Sequence, residues 1–201
     1  MKRFDKLFVA FKYFLMGRKY FLALKALEFA RNYHVGLRKD NITEEFQHQL
    51  EIAMYLSTLP NLPQEEIVYT VAILHDVMED YEVSPEEMEK RFGKEVMDIV
   101  WLLTKKYKGN KKDEKQYFKD ISENAIAALV KGADRIHNVQ SMLNVFSKEK
   151  QAKYLEEVEQ NFLPMIKQAK YRFPEHSGAF FNIQHMLKSQ VDLFRAILKK
   201  A

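Results

Sequence analysis

The sequence predicts an all-α fold, a single-domain helical bundle. Three observations predict it. Almost every segment carries apolar residues at helical spacing, no segment alternates convincingly with period two, and the connections between helical stretches are short. With 201 residues, 47% hydrophobic and 30% charged, the chain can bury one full core. No repeat, low-complexity stretch or interdomain linker interrupts it, so residues 1–201 are expected to form one domain.

The elements follow in order. Residues 2–16 are amphipathic, with Phe4, Leu7, Phe8, Phe11, Phe14 and Leu15 on one stripe. A second helix runs from about Lys19 to Tyr33 and stops near Gly36. Residues 37–42 form a polar loop holding Arg38, Lys39 and Asp40. Thr43 is the expected N-cap of the next helix, with Glu44 and Glu45 in its first turn; this helix carries His48 and reaches about Ser57. Leu59-Pro60-Asn61-Leu62-Pro63 is a connection. The apolar run from Ile67 to Leu74 opens a buried helix that contains no breaker and ends near Tyr81.

Ser84-Pro85-Glu86-Glu87 reads as a capping box with proline at the first helical position. The helix it starts reaches Arg91, and Gly93 separates it from another over 94–104. The basic run from Lys105 to Lys112 contains Gly109-Asn110 and reads as a solvated loop rather than a nucleic-acid patch. Helices are then expected over 113–121, 124–146, 148–171 with a bend at Pro164, and 181–199.

Composition narrows the function. No stretch approaches the roughly 20 apolar residues of a membrane span. Basic residues near the start are followed by a segment broken by Lys12, Arg18 and Lys19, so no signal peptide is expected. There is no cysteine, which excludes disulfides and thiolate metal sites, and cytoplasm is the simplest compartment. A net charge of +4 suits a pocket for an anionic small molecule, and no nucleic-acid motif accompanies it.

The chemistry centres on Ile73-Leu74-His75-Asp76-Val77-Met78-Glu79-Asp80. On a helix His75 and Glu79 share a face, and so do Asp76 and Asp80. Four ionisable groups at the end of an apolar helix are costly to bury unless something pairs with them, and a divalent cation is such a partner. Glu79, Asp80 and Glu82 also oppose the helix dipole, a local conflict that marks functional sites. His48 lies mid-helix, where a lone histidine is ordinarily a hydrogen-bonded core residue. Asp134, ordinarily a surface partner for Arg135, is surrounded by Leu129, Val130, Ala133 and Ile136. Together His48, His75, Asp76 and Asp134 form a mixed nitrogen–oxygen donor set. Manganese, iron(II) and zinc all suit it, and copper(I) does not. Such a metal polarises a phosphoryl oxygen and lowers the pKa of water.

These four positions resemble the H…HD…D pattern of the HD phosphohydrolase superfamily, and the local sequences resemble the hydrolase domain of RelA/SpoT-type (p)ppGpp enzymes. Leu74-His75-Asp76-Val77-Met78-Glu79-Asp80 is similar to that family's HD signature followed by an ED pair. Lys131-Gly132-Ala133-Asp134-Arg135-Ile136-His137-Asn138 is similar to K-x-A-D-R-x-H-N. His34-Val35-Gly36-Leu37-Arg38-Lys39 resembles H-x-G-Q-x-R-K with one residue missing. Leu102-Leu103-Thr104-Lys105 and Phe162-Leu163-Pro164-Met165 resemble two further segments. The matches run from about 25 to 165, leaving helical extensions at both ends. The glutamine of the opening motif and the glycine-rich sequence after Arg-Lys are absent, and Gln49 replaces the proline that usually follows the first ligand histidine. The loop before His48 is therefore expected to be shaped differently.

The resemblance implies an all-α HD-type domain like the small stand-alone alarmone hydrolases, with a nucleotide as its partner and no nucleic acid or membrane. It implies that His48, His75, Asp76 and Asp134 hold manganese(II) or another divalent metal, and that Glu79 and Asp80 orient and act on the attacking water. It implies that Arg38 and Lys39 lie beside the base and phosphates and that Asn138 contacts ribose or base. Ser141 faces the same way, and Lys105 is a further candidate for the phosphates. The implied reaction is hydrolysis of the 3′-pyrophosphate of (p)ppGpp. The alternatives are (p)ppApp, the 2′-phosphate of NADPH, or a nucleotide-binding module without catalysis. Arg135 and His137 are read as structural, His34 as a helix-end or supporting residue, His176 and His185 as surface, and Trp101 as core. The oligomeric state is left open.

Overall fold

The computed structural model describes residues 3–200, and the fold is all-helical apart from one very short hairpin. Three helices lead in: α1 (Arg3–Arg18), α2 (Phe21–Arg31) and α3 (Gln47–Leu56). The next, α4 (Glu65–Leu74), is central. Every residue from Val68 to Leu74 is buried, which is why this stretch reads as uninterrupted apolar sequence. It packs against α2 and α3. After it come α5 (Val77–Tyr81), α6 (Pro85–Phe92), α7 (Lys94–Leu103), the hairpin β1 (Lys106–Tyr107) with β2 (Asn110–Lys111), and α8 (Glu114–Ser122).

The second central helix is α9 (Ala125–Gln140), which touches α3, α4, α7 and α8. Beyond it lie α10 (Lys148–Glu157), a π-helical turn at Val158–Phe162, α11 (Leu163–Arg172) and the long α12 (Ser177–Lys200). Gly132 lets α11 and α12 close on α9. A Cβ there would sit 2.9 Å from Ile166 Cδ1 and 2.6 Å from Ile183 Cγ2. Four of the described helices carry side-chain caps: Ser84, Asp113, Asn124 and Ser147 each accept the backbone N–H three residues on.

The all-α expectation holds, while several boundaries move. The expected helix through residues 67–81 is broken at His75-Asp76. His75 Nδ1 donates to the Ala72 carbonyl at 2.8 Å, and Asp76 sits at φ −100°, ψ −11° before α5 restarts. No proline or glycine marks this kink. Thr43 caps no helix. Asp40 accepts the N–H groups of Ile42 and Thr43, both at 2.9 Å, and Leu37 pairs with Glu44, so residues 37–44 fold back on themselves and α3 starts at Gln47.

The basic loop is the hairpin, and Trp101 is half-buried beneath it against Tyr107 rather than in the core. The helix expected over 124–146 stops at Gln140. That over 148–171 splits at the π turn, because Pro164 has no N–H to continue the ladder. The last helix begins at Ser177, four residues early.

Candidate functional site

The kink between α4 and α5 faces α3 and α9, and the two central helices meet there. His48 stands in the first turn of α3, His75 and Asp76 form the kink, and Asp134 lies mid-α9. His48 Nε2 is 3.2 Å from Asp134 Oδ1 and 3.8 Å from Asp76 Oδ2. His75 Nε2 is 3.0 Å from Asp76 Oδ2 and 3.9 Å from Asp134 Oδ1. The donor atoms of His48, His75 and Asp76 all lie within 4.8 Å of one another. His48, His75 and Asp134 are buried, and Asp76 is half-buried.

This donor set fits a divalent cation. His75 Nε2 is buried and has no hydrogen-bond partner. Its Nδ1 is committed to the Ala72 carbonyl, so Nε2 is the nitrogen that faces the carboxylates. Burial opposes protonation of His75, but Asp76 and Asp134 outweigh it and raise its pKa to about 9. Burial pushes His48 down to about 4, which leaves a neutral imidazole. Burial would raise Asp76, yet His75 beside it holds the carboxyl below the usual range. Asp134 is likewise held well below its ordinary value against burial, first by Lys131 at 3.1 Å and then by His48. Two carboxylates and two imidazole nitrogens thus converge, and a cation there would take the place of the proton that the carboxylates hold on His75.

Above them opens a cleft of about 500 Å³. Its lining includes Arg38, Lys39, Glu79, Asp80, Lys105, Asn138 and Ser141, so the structure gathers all of these sequence-predicted residues around the donor set. Glu79 is anchored by the Lys105 backbone N–H, which donates to its Oε2 at 2.6 Å. Asp80 is open to solvent on one side. Burial of its other side, with Asp76 and Glu79 nearby, raises it to about 6. Arg38 Nη2 donates to Asn138 Oδ1 at 3.0 Å, and Asn138 Nδ2 donates to Asp134 Oδ1 at 2.6 Å. Lys39 lies over the Phe146 ring at 5.4 Å. Lys105 Nζ pairs with Glu114 at 2.7 Å, so its charge is already engaged. Ser141 is exposed at the rim.

Several supporting residues escape a reading of sequence. Gln49, which replaces the expected proline, is buried and donates to Asp76 Oδ2 at 3.3 Å. His137 contacts His48 itself, Nδ1 to Nδ1 at 2.9 Å, and Glu51 at 2.7 Å. Lys131 pairs with Asp134, and Tyr154 and Phe146 line the far wall of the cleft. The only advance signal was position: Gln49 adjoins one ligand candidate, and Lys131 and His137 lie three residues either side of another. Arg135 is structural as read, bonded to Glu157 at 2.8 Å and stacked over Tyr154 and Phe162. His34 is buried between Phe46 and Tyr81, and His185 is exposed. His176 is half-buried, its Nδ1 donating to the Asn61 carbonyl at 2.6 Å. No described helix is long and apolar enough to cross a membrane.

Fold and site together define a helical domain that gathers two histidines and two aspartates from three segments into one cluster of metal-type donors. The chain belongs to the HD domain family, whose model matches residues 26–167. It is 32% identical over 146 residues to the guanosine-3′,5′-bis(diphosphate) 3′-pyrophosphohydrolase of Aquifex aeolicus (strain VF5), covering 70% of this chain and 20% of that protein. It is 30% identical over 149 residues to GTP pyrophosphokinase rsh of Brucella ovis, covering 70% and 19%. The chain therefore spans about a fifth of the length of the curated relatives it matches. Among solved structures it resembles a metazoan orthologue of SpoT, described as hydrolysing ppGpp, with a TM-score of 0.67 at 20% identity over 84% of this chain and 95% of that one. The motif resemblance to the RelA/SpoT-type hydrolase domain is thereby met.

Proposed function

We propose that the chain hydrolyses the 3′-pyrophosphate of guanosine alarmones, converting (p)ppGpp to GDP or GTP and releasing pyrophosphate. The observation that carries this reading is the placing of Glu79 and Asp80, two carboxylates, beside a His₂Asp₂ donor set in a cleft whose rim supplies Arg38 and Lys39. The 32% identity over 146 residues to a pyrophosphohydrolase supports the substrate class.

His48, His75, Asp76 and Asp134 would hold the cation; manganese(II) is the ion the family resemblance implies, and iron(II) or zinc also suits the donors. Bound there, it would supply Lewis-acid polarisation of a phosphoryl oxygen and a lowered pKa for water. The chain's own residues do the rest. Glu79, fixed by the Lys105 N–H, orients the attacking water at the 3′ phosphorus. Asp80, with its raised pKa, takes up a proton as the oxygen–phosphorus bond forms. The bond to the 3′ oxygen breaks, pyrophosphate leaves, and the 3′ oxygen regains a proton from water. Arg38 and Lys39 face the phosphates and base, Asn138 the ribose, and Ser141 the same rim. Lys105 acts mainly through its backbone, since Glu114 takes its charge.

The test is to incubate manganese-loaded protein with ppGpp, ppApp and NADPH and to resolve the products by chromatography. Pyrophosphate and GDP from ppGpp are expected, and Asp76→Ala abolishes them. Intact ppGpp after prolonged incubation with protein shown to contain metal overturns the reading. Turnover of ppApp or NADPH alone reassigns the substrate.

A further inference from the structure

We propose that His137 and Glu51 are positioning residues that lock His48 in the tautomer whose bare Nε2 faces the cleft. The proposal rests on the metal reading of the site, but its first observable does not. His48 Nδ1 and His137 Nδ1 lie 2.9 Å apart. Two ring nitrogens at that distance share one proton: one donates and the other accepts. The other nitrogen of His137, Nε2, lies 2.7 Å from Glu51 Oε2. An ionised carboxylate only accepts, so His137 carries a proton on Nε2, and the neutral ring has its Nδ1 bare. Opposite a neutral His137, His48 donates from Nδ1, and its Nε2 offers a lone pair to a cation held with Asp134 and Asp76; with His137 doubly protonated the donation reverses and Nε2–H faces Asp134, the arrangement the ring-nitrogen spectrum must exclude.

The carboxylate at the end of this chain is itself fixed. Glu51 Oε1 accepts from Gln47 Nε2 at 2.9 Å and from Arg3 Nη2 at 3.1 Å. His137 also holds the Glu51 carboxyl below its ordinary pKa, which keeps it an acceptor. Sequence spacing makes the relay possible. Glu51 lies three residues after His48 on α3, and His137 three after Asp134 on α9, so each partner sits one turn beyond a ligand candidate. The second ligand histidine is held by a different device with the same outcome: the Ala72 carbonyl pins Nδ1 of His75. Both imidazoles then offer Nε2. A purely structural clamp between α3 and α9 would need the contacts but not this direction of donation.

The first experiment is ¹⁵N NMR of the histidine ring nitrogens in the metal-free full chain. The expected spectrum has His48 protonated at Nδ1 and His137 at Nε2. A wild-type His48 protonated at Nε2 overturns the proposal. The second is manganese(II) affinity by direct titration, without substrate. His137→Leu is expected to weaken binding about 10–100-fold, the usual cost of losing a partner of a ligand. His137→Asn keeps an acceptor for His48 and is expected to recover most of that loss. Unchanged affinity in a folded His137→Leu protein overturns the proposal, as does an equal loss in both variants, which would mark a clamp alone. If His137→Leu fails to fold, Glu51→Ala gives the same reading: His137 is freed to move its proton, and the His48 preference for Nδ1–H should fade. If the wild type binds no manganese, the metal reading fails while the ring-nitrogen spectrum still decides the relay.

Discussion

Arg38 Nη2 donates to Asn138 Oδ1 at 3.0 Å, joining the loop before α3 to a helix one hundred residues later in the chain. Because Asn138 also donates to Asp134 at 2.6 Å, one guanidinium is linked through one amide to the floor of the site. Removing a charged hydrogen-bond donor costs about 1.5–3 kcal/mol. Arg38→Ala is therefore expected to raise KM for ppGpp at least about tenfold with a much smaller change in kcat. Steady-state kinetics decide this, and a KM equal to wild type would place Arg38 outside the binding surface.

Glu79 gives the opposite pattern. Its carboxylate is anchored by the Lys105 N–H at 2.6 Å and points into the cleft without joining the donor set. Glu79→Gln keeps shape and loses charge. It should lower kcat by about 10²-fold, the scale of a misplaced reacting group, while manganese binding stays near wild type. A parallel loss of metal would instead make Glu79 a ligand.

Asp80 sets a pH limb. Its pKa is raised to about 6 by burial and by Asp76 and Glu79. Solvent on its open side and a bound dication both pull the value back down. In the proposed role of base it acts only when ionised, so kcat/KM should fall as pH drops through a midpoint between the ordinary carboxylate value and about 6. Asp80→Asn should lose that limb as well as most of the rate. A profile measured from pH 5 to 8 checks both points.

Asp134 and Lys131 are tied in stability. Lys131 is held protonated against burial by the carboxylates of Asp134 and Asp76. Asp134→Ala leaves an ammonium without its partner at 3.1 Å, which should cost about 3 kcal/mol in the metal-free protein. Adding Lys131→Met removes the stranded charge and should return part of the loss. Thermal or urea unfolding of the two variants checks this, and an equal loss in both would mean the cost lies elsewhere in the cluster.

These residues also show what the sequence could reveal. The helical period of α4 and α9 and the order His48, His75-Asp76, Asp134 were legible because burial and ligand chemistry both leave residue-type patterns. The kink at His75 was not. It is made by an imidazole bonding its own helix carbonyl, a choice that no proline or glycine announces. Gln49 and Glu51 were hidden for a similar reason, and so was the contact to His48 of His137, a residue legible only as structural. Glutamine, glutamate and histidine on helices usually face solvent, and only the packing of α3 against α9 turns these three toward the ligands. The fold-back of residues 37–44 depends on Asp40 capturing two N–H groups, which competes with the helix N-cap that Thr43 suggests.

His34 makes the fold sensitive to acid. It is 4% exposed, stacked on Phe46 and edge-on to Tyr81, and neither ring nitrogen has a hydrogen-bond partner. Burial lowers its pKa from 6.5 to about 4, with the carboxylates of Asp76 and Glu45 opposing. In the unfolded chain the ring takes a proton below about 6.5. Between those values the unfolded state binds more protons than the folded one, so stability rises with pH there and is lost as pH falls. The neutral ring's share is complete above about 7, and by pH 5 it has fallen by about 2 kcal/mol. His34→Phe keeps the aromatic contact with Phe46 and removes the proton site. Its unfolding free energy should therefore drop less between pH 7 and 5 than that of the wild type, by about that amount, in urea titrations of metal-free protein. Equal drops in the two proteins would mean that His34 reaches a proton acceptor on acidification, with Glu45 at 3.9 Å the nearest.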